Sequence, residues 1–428
     1  MSSIVTDFLR FVYGEGYHPP RPAQAQKLFG PHPDLATADP YLACASGYEP
    51  LLRETLQANS QWANQPGGPL GMPPLVAVTH SSLIRLPDYT ERLRSCARLL
   101  LNAGADPNQS HESLSALYGA AGRNHDAPLT EMLLRAGANP NDNESLYHSV
   151  ETDDLTCARL LLEAGAKVTG CNALYRVLDF DNPEGLRLLL AHGGDPNEHS
   201  GHLNSPLLHA IRRGRSAEHA RLLLEAGADP RARTSDGDSA YRMASLYGLS
   251  EVAHMLRKLG ADEPLSLTDQ FVAACAYADA AEATRILAQH PGIVDELSPQ
   301  QLHQLPNLAQ DGCGDAVRVM VEHGWPITAR GGDWHASALN HAVFRGDAAL
   351  ARFLLEHGAT WNEVHGYHDN VMGTLSFASK AITVKGGDWL GCARALIDNG
   401  MPVPPPEYEF SDEVEAFFRS VDPDRPAH

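Results

Sequence analysis

Lysine is almost missing from this chain: only five of its 33 basic residues are Lys, and the rest are Arg. Acidic residues number 53, so the formal net charge is −20. No basic cluster offsets that charge, which speaks against binding to a phosphate backbone, because counterion release needs gathered Lys and Arg. No apolar run approaches the roughly 18 residues that a membrane helix requires, so no span and no membrane partner are expected. The opening MSSIVTDFLRFVYGEG lacks a basic stretch and carries Asp7, so a secretory leader is not expected either. The seven Cys (44, 96, 157, 171, 275, 313 and 392) contain no CxxC pair. They read as reduced packing residues and fit a cytoplasmic location. Motifs for common enzyme chemistries are missing as well: no phosphate loop, no dinucleotide-binding glycines, no HExxH and no GxSxG. The Arg bias is what GC-rich coding produces and fits a bacterial source.

What the chain does have is a core's worth of apolar residues, 43%, and a repeated helix ending. LLLNAGADP at 99–107 is close to MLLRAGANP at 132–140 and LLLEAGADP at 222–230. Using the Gly of this ending as a ruler gives Gly104, Gly137, Gly165, Gly193, Gly227, Gly260, Gly324, Gly358 and Gly400, with Asn59 and Pro291 in the same place in weaker copies. The spacings are 45, 33, 28, 28, 34, 33, 31, 33, 34 and 42, so about eleven units follow one another. Glycine closes a helix in the left-handed conformation, and the Asp-Pro or Asn-Pro after it stops the helix from continuing. Ahead of each ending lies a small-residue helix such as SPLLHAIRRG at 205–214. In it an apolar residue is followed seven places later by a punctuating one: Leu117/Asn124, Leu146/Asp153, Leu174/Asp181, Leu207/Gly214, Leu305/Gly312 and Leu339/Gly346.

This grammar resembles the ankyrin repeat, with SPLLHA at 205–210 and GADPN at 104–108 the nearest matches. The resemblance implies an all-α solenoid: helix–turn–helix repeats with short β-turn fingers, stacked in a curved right-handed array. It covers 36–404, with the family's His mostly lost and units 1, 2, 8 and 9 degenerate. Residues 1–35 read as a non-repeat helical cap. Over 405–428, PVPPPEYEF breaks the array, SDEVEAFFRS makes a short closing helix, and VDPDRPAH is expected to fray.

Function is sought in the irregularities, because the frame itself does no chemistry. The stretch from ruler Gly to the next first-helix apolar residue is 13 for Gly104 to Leu117 but 9 for both Gly137 to Leu146 and Gly165 to Leu174. Two fingers are nearly deleted there, which predicts a notch over 138–173. Fingers lengthen to 15 at Gly324–Leu339 and 17 at Gly358–Leu375. Two insertions also stand out, at 80–89 and 379–387. The two residues before each inter-helix turn, which the resemblance places on the concave side, run Glu151-Thr152, Asp179-Phe180, Arg212-Arg213, Leu246-Tyr247, Tyr277-Ala278, Gln310-Asp311 and Phe344-Arg345. Aromatics and Arg at solvent-facing positions are interface residue types.

The expected function is therefore non-enzymatic binding of a protein or peptide partner by a chain that is monomeric on its own. The candidate contacts are Phe180, Arg212, Arg213, Tyr247, Tyr277, Trp334, His335, Phe344, Arg345, His365, Tyr367 and His368. No cofactor and no nucleic acid are implied. A cellular partner is expected, export as an effector being the other route, and an assembly-scaffold role is indistinguishable from this reading. The alternative is an enzyme or a metal or small-molecule site. It would use either the notch, flanked by Glu151, Asp153, Asp179 and Asp181, or a convergence of His335, His365 and His368 with Asp369.

Overall fold

The computed structural model of the chain describes residues 3–15, 19–29, 31–200, 204–381 and 384–425. Its architecture is all-α: helices come in consecutive pairs, with two-residue strand pairs as the only extended elements among the described residues. The chain forms two compact units, the first comprising 1–206 with 225–227, and the second comprising 207–224 with 228–428.

In the first unit, helices Ser3–Tyr13 and Pro22–Phe29 precede five helix pairs. Phe8 meets Phe29 edge-on at 5.2 Å, and the Tyr13 hydroxyl donates to the Ala77 carbonyl at 2.8 Å. The insertion at 80–89 is not a surface loop. Leu83 and Ile84 are buried, and Ser82 Oγ donates to the Val12 carbonyl at 2.6 Å, so the insertion anchors the N-terminal helices. The second unit holds all but the outer residues of the pair Pro206–Arg212 with Ala217–Glu225, five further pairs ending in Val371–Ala381 with Trp389–Asp398, and the closing helix Asp412–Val421. Residues 382–383 of the second insertion lie outside the described residues, as does His202.

Each pair buries the residues its pattern dictates. In the pair Ala338–Arg345 and Ala348–Glu356, Ala338, Ala342 and Val343 on the first helix and Leu350, Leu354 and Leu355 on the second are in the core. Small residues let first helices pack closely side by side, while the Leu residues fill the space behind them. The ruler glycines are left-handed, with φ of 98° at Gly227 and 101° at Gly358. A Cβ at either would touch nothing within 4 Å, so backbone conformation alone requires glycine there. Gly346 differs: a Cβ would come within 2.7 Å of Gly387 Cα, so close approach matters too.

A side-chain clamp explains the residue that follows the ending. Asn108, four places after Gly104, donates from Nδ2 to the Gly137 carbonyl at 3.2 Å and accepts from the Asn139 amide at 2.8 Å. Asn141 repeats this toward Gly165 (3.3 Å) and Lys167 (2.8 Å), and Asn64 toward Gly104 and Asp106, both at 2.8 Å. Each clamp ties one finger to the helix end of the next repeat, satisfying a carbonyl left free there. Paired finger strands occur at 110–115 and 330–337, and none lies in 138–173 among the described residues. In that stretch Asn143 and Asn172 turn the chain with φ of 69° and 61°.

Of the tail expected to fray, residues 421–425 are fastened, and 426–428 lie outside the described residues. Arg425 is buried and donates to Glu415 from Nε at 2.8 Å and from Nη2 at 3.1 Å. It also donates to the carbonyls of Pro404 and Tyr408. A buried guanidinium with its hydrogen bonds satisfied holds the chain as far as 425.

Candidate partner-binding face

The expected contact residues divide by unit and by how firmly the fold already uses them. In the first unit, Phe180 is 45% exposed, and the Arg176 guanidinium lies 4.7 Å above its ring. Arg176 also stands over Tyr147 at 5.1 Å and donates from Nε to Glu151 at 2.7 Å. Glu151 further pairs with His148 Nδ1 at 2.6 Å. Burial pushes the Glu151 carboxyl up, but the His148 and Arg176 hydrogen bonds outweigh it and hold it below the usual range. This acid of the notch is therefore an engaged structural partner. Asp154 beside Asp153 is likewise engaged, accepting from the Thr156 amide at 3.0 Å.

The second unit carries a continuous run of rings. Tyr367 meets His365 at 6.1 Å, His365 meets Trp334 at 4.9 Å, Trp334 meets Phe344 at 5.6 Å, and Phe344 stacks on Phe377 at 6.2 Å. The run starts on the finger at 361–370, crosses the finger at 330–337, and ends on the helices Ala338–Arg345 and Val371–Ala381. Its ends are open: Tyr367 is 77% exposed and Phe377 63%. Phe377 was not among the expected contacts. The first helix of its repeat is one turn longer, so counting back from the inter-helix turn never reaches it.

Three expected contacts are already used by the fold. His365 is buried, its Nδ1 accepts from the Tyr367 amide at 3.3 Å, and burial lowers its pKa. It supports the run from beneath. Arg345 is turned inward, donating from Nη1 to the Gln310 carbonyl at 3.0 Å with its guanidinium packed against Gly312. Tyr247 is half-buried against the core of its unit. Arg213 is partly engaged by Asp333, at 2.5 Å. Arg212, Tyr277, His335 and His368 are exposed, and the last two sit at finger tips with φ of 50° and 63°.

The convergence of histidines into a metal centre is also overturned. His365 faces Trp334, and Asp369 Oδ1 accepts from the Tyr408 hydroxyl at 2.9 Å. Among the described residues no three His, Cys, Asp or Glu side chains gather as a metal would need. Five cysteines (44, 96, 157, 275 and 392) are buried, and burial pushes the Cys96 and Cys275 thiols up to about 12. No helix is long and apolar enough to cross a membrane among the described residues.

Compared with known proteins, residues 202–235 match the ankyrin-repeat family model, over the stretch holding SPLLHA and LLLEAGADP. An ankyrin repeat domain from Acinetobacter baumannii AYE is 24% identical over 44% of this chain and 98% of its own, with a TM-score of 0.39. The human ASB11 ankyrin repeat domain is 19% identical over 54% of this chain and 98% of its own, with a TM-score of 0.25. No curated protein matches the chain.

Proposed function

This chain is an ankyrin-repeat protein, and from that premise we propose that it is a non-enzymatic module whose second unit grips a protein or peptide partner. Ankyrin repeats are in general protein-binding modules. The observation that carries the reading is the ring run from Tyr367 through Trp334 to Phe377. Large aromatics half-sunk in a rigid frame supply contact area without much ordering cost, which is the profile of an interface hot spot. Arg212 and Arg213 extend the surface with charge, and His335 and His368 edge it at the finger tips. Phe180 in the first unit and Tyr277 in the second are further contacts of the same type. The module works as a monomer in the cytoplasm of a bacterial cell.

The test is a comparative capture from native lysate, using wild type and Tyr367→Ala/Phe377→Ala side by side. A specific partner retained by wild type should be lost by the variant at unchanged melting temperature. Equal recovery from both would overturn the assignment of this face.

A further inference from the structure

The first unit contains a cavity of about 860 Å³ whose walls include Tyr13, Arg85, Tyr118, Arg123, His125 and Glu151. Its origin is a slip in the repeat. In most repeats a left-handed residue falls seven places after the first-helix apolar residue, as at Asp181, Gly214, Gly312 and Gly346. In the third repeat it falls eight places after Leu117, at His125 with φ of 51°. The extra residue is taken up by a π-helical turn at Gly119–Arg123, closed by the Asn124 amide on the Gly119 carbonyl at 3.2 Å. Such turns insert one residue and re-aim the side chains after them.

Arg123, at the end of this turn, meets Arg85 from the helical turn Ser82–Arg85, and the two lack counter-charges. Arg85 donates from Nε to Asn124 Oδ1 at 3.0 Å and from Nη2 to the Arg123 carbonyl at 2.6 Å. Arg123 donates from Nη2 to the Tyr13 carbonyl. All three acceptors are neutral, and among the described residues neither Arg forms an ion pair with a carboxylate. Arg123 Nε and His125 Nδ1 are buried without any partner among the described residues. Partial desolvation and the nearby Arg123 charge lower the pKa of Arg85, while desolvation lowers that of Arg123. Glu151, on the same wall, is already taken by His148 and Arg176. Glu15 is exposed at the rim. In a chain of net charge −20, an exposed Arg85 beside a half-buried Arg123, neither paired with an acid, is an exception, and the buried Arg123 Nε is a donor that an anion would complete.

We infer that this cavity is a binding site for a small oxyanion, a phosphate- or carboxylate-bearing molecule held by Arg85 and Arg123 with Tyr118 as its apolar wall. The volume suits a metabolite-sized ligand, and paired guanidinia match the fork geometry of both oxyanions. The site is independent of the aromatic face of the second unit.

The experiment titrates the full chain with inorganic phosphate and with citrate, reading the melting temperature and calorimetric heats against sodium chloride at equal ionic strength. A saturable effect of phosphate alone assigns the phosphate class, and one of citrate alone assigns the carboxylate class. The effect should be lost, at least tenfold in Kd, in Arg85→Gln and in Arg123→Gln. It should tighten a fewfold in Glu15→Gln, which removes the one exposed acid at the rim. No effect above chloride, or an effect that survives both Arg variants, overturns the inference. Should the Arg variants fail to fold, Glu15→Gln decides: tighter binding supports the site, and an unchanged Kd overturns it.

Discussion

Arg425 and Glu415 form a two-pronged ion pair at the C-terminal end of the array, 2.8 Å and 3.1 Å between donor and acceptor atoms. The guanidinium also lies 5.6 Å from the Phe410 ring centre and 5.7 Å from that of Phe418. The pair closes the last repeat by fastening the tail across the helix Asp412–Val421. Arg425→Ala removes the two-pronged partner of buried Glu415 and leaves it the longer contact to Arg419 at 3.6 Å, at a cost of about 2 kcal/mol. Hydrogen exchange should show lost protection over 404–421 and little change in the first unit. Unaltered protection there would mean that the pair is ornamental.

The clamp residues make a graded series. Asn64 accepts a further bond from Gln109 Nε2 at 2.7 Å, beyond the two that Asn108 makes. At about 1 kcal/mol net per hydrogen bond, Asn64→Ala should lower stability more than Asn108→Ala. Urea midpoints of the two variants check the order.

Asp311 gives a pH signature. Burial pushes its carboxyl up to about 6 from an ordinary 3.8, against the pull of Arg215, Arg213 and Arg345. Between those two values the folded state binds more protons than the unfolded one, so this group's contribution to stability falls as pH rises from about 4 to about 6 and stays low above. Asp311→Asn should remove that fall and stabilise the protein at pH 7 by about 2–3 kcal/mol. Urea midpoints for wild type and variant at pH 4.5 and 7.5 measure the difference; parallel shifts would refute it.

The ring run should separate support from contact. Tyr367→Ala and Phe377→Ala remove exposed rings and should leave thermal stability within about 0.5 kcal/mol. His365→Ala opens space beneath Trp334 and should cost about 2 kcal/mol. Melting curves of the three variants test this without knowledge of any partner.

Much of the frame is legible along the chain because each ruler glycine serves a local need, a positive φ at a helix end, that shows in one residue. The clamp was half legible. GADPN displays its Asn, but only packing of successive repeats gives that Asn a carbonyl to hold. The proposed contact surface was the least legible part. Arg345 and His365 look exposed by position, yet neighbouring repeats cover them, whereas Phe377 escaped because an extra helical turn moved it out of register. Lys and Arg counts gave no hint of the Arg85–Arg123 pair, 38 residues apart in sequence.

By itself, then, the sequence determined the repeating helix pair, its glycine stops and the shortened fingers at 138–173, since each follows from conformational preferences acting over a few residues. Tertiary structure alone decided which polar side chains became fastenings and which stayed exposed. That outcome depends on the charge and acceptors that a neighbouring repeat presents, and burial makes the choice: Arg425 met Glu415, Glu151 met His148 and Arg176, and Arg85 and Arg123 met only neutral carbonyl oxygens.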